Sequence, residues 1–92
     1  MTTKLIIYQL ENYKEDYPLL SETIKSFPKW AKIMDRTWII KSSKSVGDIR
    51  TLLSQSISYR GKIFVIDLNT TSWGSFSVDK DVTQWIKDNL NE

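Results

Sequence analysis

Residues 4–10, KLIIYQL, place five apolar or aromatic side chains in seven positions without apolar–polar alternation. That pattern predicts a strand buried on both faces, because a strand buried on one face alternates. Two further strands are expected at 37–41, TWIIK, and 62–68, KIFVIDL. Between them the period changes. Tyr17, Leu20, Ile24 and Phe27 recur at helical spacing. This predicts a helix opened by Asp16-Tyr17-Pro18, with Pro18 at the first helical position, and closed before Pro28. KWAKIMDRTWIIKSS reads as two antiparallel strands, 30–34 and 37–41, about a tight turn at Asp35-Arg36. Ser45 and Asp48 form a capping-box pattern ahead of a second helix, whose apolar face is Ile49, Leu52, Leu53 and Ile57. Gly61 marks the turn into strand 62–68. A polar turn follows at 69–72, then an irregular aromatic segment at 73–76. The final helix is expected over 77–91, with Asp79 and Asp81 near its positive end and Val82, Trp85, Ile86 and Leu90 on one face.

The order strand–helix–strand–strand–helix–strand is the split motif of an α+β ferredoxin-like sandwich, here with an additional C-terminal helix. Residues 1–92 read as one domain, with a core over about 3–68 and a tail and helix over 73–91. The expected sheet order is 4-1-3-2, with the first and third strands central and parallel. Strands 4–10 and 62–68 carry apolar residues at both parities, so the sheet face without core helices also needs cover. The 73–90 tail meets that need as an intrachain lid. A twofold homodimer meets it by stacking sheets or exchanging tails, and is the favoured expectation.

Composition narrows the chemistry. The 92 residues include no cysteine and no histidine. A disulfide framework, a thiolate metal site and the commonest general base are thereby excluded. No apolar run is long enough for a transmembrane helix, and MTTK leads into a strand without a signal-peptide core, so a cytoplasmic protein without membrane contact is expected.

The net charge of +2 hides an asymmetry. From Lys25 to Lys62 there are nine basic residues and two acids, Asp35 and Asp48. The remainder holds four bases and nine acids. On the expected topology Gln9, Glu11, Lys29, Lys41, Ser42, Ser43, Lys44, Arg60 and Lys62 share one rim with two helix N-termini. Cations, hydroxyls and positive helix ends together suit an anion or nucleic-acid phosphate. The candidate binding residues are therefore Lys29, Lys41, Ser42, Ser43, Lys44, Arg60 and Lys62. The competing reading is that these are solvated strand ends.

Carboxylates do not converge in this reading. Asp35 and Asp67 fall at the opposite edge from the rim, and Asp16 and Asp48 read as helix-start acids. Only Glu11 lies near the basic residues, so no metal site and no cofactor is expected. Trp38 and Trp85 are spaced as core residues, whereas Trp30 and Trp73 are placed to pack or to stack on bases. Tyr59-Arg60 beside Gly61 is an aromatic–basic pair on a loop, compatible with RNA contact.

The first strand ending in Tyr8-Gln9-Leu10, the two helices, the strand pair holding Trp30 and Thr37-Trp38, the helix with Ile49-Arg50 and Leu52-Leu53, and the late apolar strand together resemble the small ferredoxin-like CRISPR adaptation proteins, whose superfamily includes the VapD-type ribonuclease toxins. The runs at 17–26, 35–41, 49–53 and 73–90 carry the closest likeness, to short bacterial proteins labelled "SinR family". The resemblance implies a homodimer of ferredoxin-like subunits. It also implies that an aspartate ending the first strand serves metal-dependent nuclease activity. Here that position is Gln9, which has no charge to hold a metal ion and cannot act as a general base.

The sequence therefore leads to a dimeric binding or structural protein associated with RNA or DNA. The alternative is a metal-dependent endoribonuclease or toxin of the same superfamily. A purely protein-binding role is a third reading.

Overall fold

The computed structural model describes residues 1–69 and 72–90. The elements are β1 (Thr2–Gln9), α1 (Tyr13–Lys25), β2 (Lys29–Met34), β3 (Thr37–Ser42), α2 (Val46–Ser56), β4 (Lys62–Leu68) and α3 (Lys80–Leu90). The four strands form one sheet in the order β2-β3-β1-β4. This is an α+β ferredoxin-like fold with a C-terminal helix. Parts of two expected elements, residues 70–71 of the polar turn and residue 91 of the last helix, lie outside the described residues.

Every pairing is antiparallel, including β1 with β3. The expectation of parallel central strands is thus corrected, and connectivity gives the reason. The crossover through α1 returns the chain parallel to β1. The Asp35-Arg36 hairpin then reverses it, so β3 must oppose β1.

Alternate residues of the strands point to opposite faces. On one face Ile6, Tyr8, Trp38 and Ile40 are buried against Leu20, Ile24 and Phe27 of α1 and its exit, and against Ile49, Leu53 and Ile57 from α2 and its C-cap. Truncating a side chain such as Leu20 to alanine would cost about 2–5 kcal/mol at a site this closed. α1 begins one turn earlier than expected. Asn12 caps it by accepting from the Glu15 amide at 3.4 Å, and Pro18 sits inside the helix. The second helix begins as expected, with the Ser45 hydroxyl accepting from the Asp48 amide at 3.0 Å.

The other face is covered in part by the chain's own tail. Ile86 and Leu90 of α3, helped by Val82, Trp85 and Trp73, pack on Ile39, Leu5, Ile33 and Leu68. The intrachain lid exists, but it leaves Ile7, Phe64 and Ile66 exposed. Among the described residues no helix is long and apolar enough to cross a membrane.

Candidate nucleic-acid interface

The antiparallel register divides the expected rim between two ends of the sheet. At one end Lys41 pairs with both Thr3 and Lys29, so Lys29, Lys41, Ser42, Ser43 and Lys44 lie beside the start of β1. At the other end Lys62 pairs with Gln9, and Arg60 precedes it. The single rim is therefore corrected: strand direction places the third strand's end away from the first strand's end. Asp35 is corrected too, since its turn lies at the Gln9 end. The Tyr8 amide donates to the Arg36 carbonyl at 3.2 Å. Asp67 lies at the end away from Gln9, which is the end that holds Lys29, Lys41 and Lys44, so it is not set apart from those candidates; there it pairs with the buried Lys4 at 3.1 Å.

Burial separates the candidates further. Lys41 and Ser42 are buried. The Ser42 hydroxyl accepts from the Lys44 amide at 3.0 Å, and its carbonyl accepts from Lys4 Nζ at 3.2 Å. Lys29, Ser43 and Lys44 are exposed. Arg60 stays exposed, but its guanidinium donates to the fully buried Asp16 carboxylate. Trp30 is partly exposed and tilts against Trp38, with Lys25 Nζ 5.4 Å from its ring centre. Trp73 is partly buried against the cluster of Ile39, Ile86 and Leu90.

The Gln9 end carries a surface pocket of about 660 Å³. Ile7, Tyr8, Gln9 and Leu10 line it from β1 and its exit, Arg36 from the hairpin turn, and Lys62, Ile63 and Phe64 from β4. Two cations and one neutral amide thus border a mostly apolar wall, and among the described residues no carboxylate lines it. Turn geometry presents Arg36, which has φ 64° in a two-residue connection. Gly61 lets β4 approach β1 at this point. Its φ is +82°, and a Cβ there would stand 2.5 Å from the Gln9 carbonyl.

An aromatic and cationic cluster adjoins Arg36. Tyr13 and Tyr17, one turn apart on α1, stack with ring centres 4.8 Å apart and planes 10° from parallel. Arg36 lies 5.8 Å from the Tyr13 ring centre, and Lys32 lies 4.7 Å from that of Tyr17. Lys32 Nζ also donates to the Tyr17 hydroxyl at 2.8 Å, which holds its pKa above the ordinary lysine value. Behind them the Trp38 indole donates to the Tyr8 hydroxyl at 3.1 Å. Burial pushes the Tyr8 phenol upward, against the opposing pull of that hydrogen bond.

Arg36, Lys32, Tyr13 and Tyr17 are absent from the sequence-derived candidates. The four-residue spacing of the tyrosines was a readable signal. Arg36 needed the correct strand direction, which brings the hairpin turn to Gln9. The arrangement can hold an anion between two cations, offer an amide for hydrogen bonding and give planar groups an apolar or aromatic surface. Among the described residues no group of three acidic, histidine or cysteine side chains could hold a metal ion. Neither the family models, the curated proteins nor the solved structures provide a significant match to this chain.

Proposed function

We propose that this protein is a binding module for single-stranded nucleic acid that holds its ligand at the Gln9 end without cleaving it. The observation that carries the reading is the pocket at which Gln9, Arg36 and Lys62 meet an apolar wall of Ile7 and Phe64. Phosphates suit the two cations, and an unstacked base suits the wall or the exposed ring of Tyr13. The likeness to adaptation proteins and VapD-type toxins points to the same ligand class. Gln9, standing where that group carries an aspartate, is the reason for binding without hydrolysis.

The test is incubation of labelled single-stranded RNA and duplex DNA with the protein and Mg²⁺, followed by a binding assay and a denaturing gel. A retained, intact single strand supports the reading. Cleavage by the wild-type protein moves it to the nuclease class, and absence of binding at low salt removes it. Gln9→Asp adds a second readout, since gain of Mg²⁺-dependent cleavage would identify a degenerate nuclease site.

A further inference from the structure

The tail leaves a recess on the sheet face that it covers. Its volume is about 400 Å³, and none of its lining residues is shared with the Gln9 pocket. Ile39 and Leu68 form its floor, Ile86 and Leu90 of α3 one wall, and the strap of residues 72–76 the other. Ile39, Ile86 and Leu90 are buried, so the space reaches into the packed layer between sheet and helix. Such layers leave few voids larger than a water molecule. This recess is many times that size and falls within the range of about 300–1,000 Å³ typical of small-molecule sites.

The lining sets the chemistry of an occupant. Among the described residues, no charged side chain lines the recess. A charged ligand would lose its water there and gain no ionic partner. In the Gln9 pocket, by contrast, Arg36 and Lys62 supply two cations. Among the described residues, Ser72, Ser75 and Trp73 are the lining positions with a hydroxyl or N–H group on the side chain. They suit a single hydroxyl or carbonyl on an otherwise apolar molecule.

Two aromatic rings favour a flat one. Trp73 is partly buried against the floor, whereas Phe76, also in the lining, is 92% exposed. Met34, at the end of β2, is the other large lining side chain open to solvent, at 56%. Rings pack offset or edge to face on other rings, and a thioether packs well against a ring edge. The strap has room to follow a ligand, since a Cβ at Gly74 would meet nothing within 4 Å.

We propose that this recess is a binding site for a neutral, planar aromatic small molecule carrying one or two polar groups. The ligand gives Phe76 a partner and covers Met34. The proposal does not rest on the nucleic-acid reading, and its test contains no nucleic acid.

The probes are 2-naphthol, uncharged in near-neutral buffer, and naphthalene-2-sulfonate, the same ring system with a charge. Titrations of the isotope-labelled full chain are followed by nuclear magnetic resonance. 2-Naphthol should move the Gly74 amide and Trp73 indole resonances saturably. The sulfonate should bind at these positions at least about tenfold more weakly, because its charge is desolvated without a partner. Met34→Asp and Phe76→Asp, both at exposed side chains, should each weaken 2-naphthol binding by at least about fivefold by placing a charge at the mouth. Circular dichroism reports whether each variant folds. No saturable shift at Gly74 and Trp73 would leave the recess to a protein side chain and overturn the proposal. Equal affinity for the sulfonate, wild-type affinity in both folded variants, or shifts centred on Ile7 and Phe64 instead would each overturn it as well.

Discussion

Arg60, in the loop between α2 and β4, donates a hydrogen bond to the carboxylate of Asp16, which α1 carries completely out of solvent. The pair ties together residues 44 positions apart. It also removes Arg60 from the cations offered to a ligand. Among the described residues Asp16 Oδ2 has no hydrogen-bond partner, so Arg60 is the charge partner of an incompletely satisfied buried group. Removing the guanidinium therefore leaves a bare buried carboxylate. Arg60→Ala should cost about 2–3 kcal/mol, below the range for fully buried pairs because Arg60 is partly exposed. Asp16→Asn in the same background should recover part of the loss. Urea unfolding measures both. A loss near zero would mean that Arg60 is available for ligand binding.

Arg36 offers a variant that separates folding from binding. Its left-handed backbone suits glycine, so Arg36→Gly should keep the hairpin and leave stability within about 1 kcal/mol of wild type. The same change removes a cation from the Gln9 pocket. Nucleic-acid affinity should fall several-fold while the thermal midpoint stays nearly constant. Unchanged affinity would take Arg36 out of the interface.

Alkaline pH should loosen the aromatic cluster. Burial raises the Tyr8 pKa, so folding disfavours the phenolate. Its contribution is complete below about pH 10 and is lost as pH rises through the folded value. The hydrogen bond to Tyr17 raises Lys32, whose contribution is likewise complete below about pH 10.5 and then lost. Stability should therefore fall above about pH 10. Tyr8→Phe should make that fall shallower, at a cost of about 1–3 kcal/mol near neutrality from the unpaired Trp38 indole. Thermal melts across this range report both effects. An equally steep decline in Tyr8→Phe would remove Tyr8 as a cause.

The end of α2 contains a conformational cost that glycine would relieve. Ser58 has φ 54° and Tyr59 φ 61°. Their amides return to the Gln55 and Ser54 carbonyls at 3.0 and 2.8 Å, the two bonds of a Schellman cap. Glycine usually occupies the first of these positions. Ser58→Gly should stabilise the protein by about 0.5–1 kcal/mol, the relief of left-handed backbone less the entropy of glycine. Denaturant midpoints test the sign, and destabilisation would show that the serine side chain has a compensating role.

Much of the fold was legible because burial leaves a period in the sequence. Double-sided apolarity marked β1 and β4, and helical spacing marked α1, α2 and α3. Ser45 and Asp48 marked the start of α2. Periodicity identifies faces but does not assign strand direction. That direction depends on the crossover and hairpin together, and it separated Lys41 from Lys62. Local sequence also cannot show that Asp16, which looks like an ordinary helix-start acid, is buried against a distant arginine. The tail was legible as an amphipathic helix, but how much of the second face it covers depends on packing. Ile7, Phe64 and Ile66 remain open despite that cover.

The measurement closest to the central claim is the salt dependence of single-stranded RNA binding by the wild type and by the Arg36→Gly, Lys62→Ala double variant. Fluorescence anisotropy on a short labelled strand supplies it. The account predicts salt-sensitive wild-type binding, with a log–log slope reduced by about 1.4 in the double variant if each cation neutralises one phosphate. No wild-type binding at low salt, or equal affinity and slope in the two proteins, would contradict the assignment of the Gln9 pocket as the nucleic-acid site.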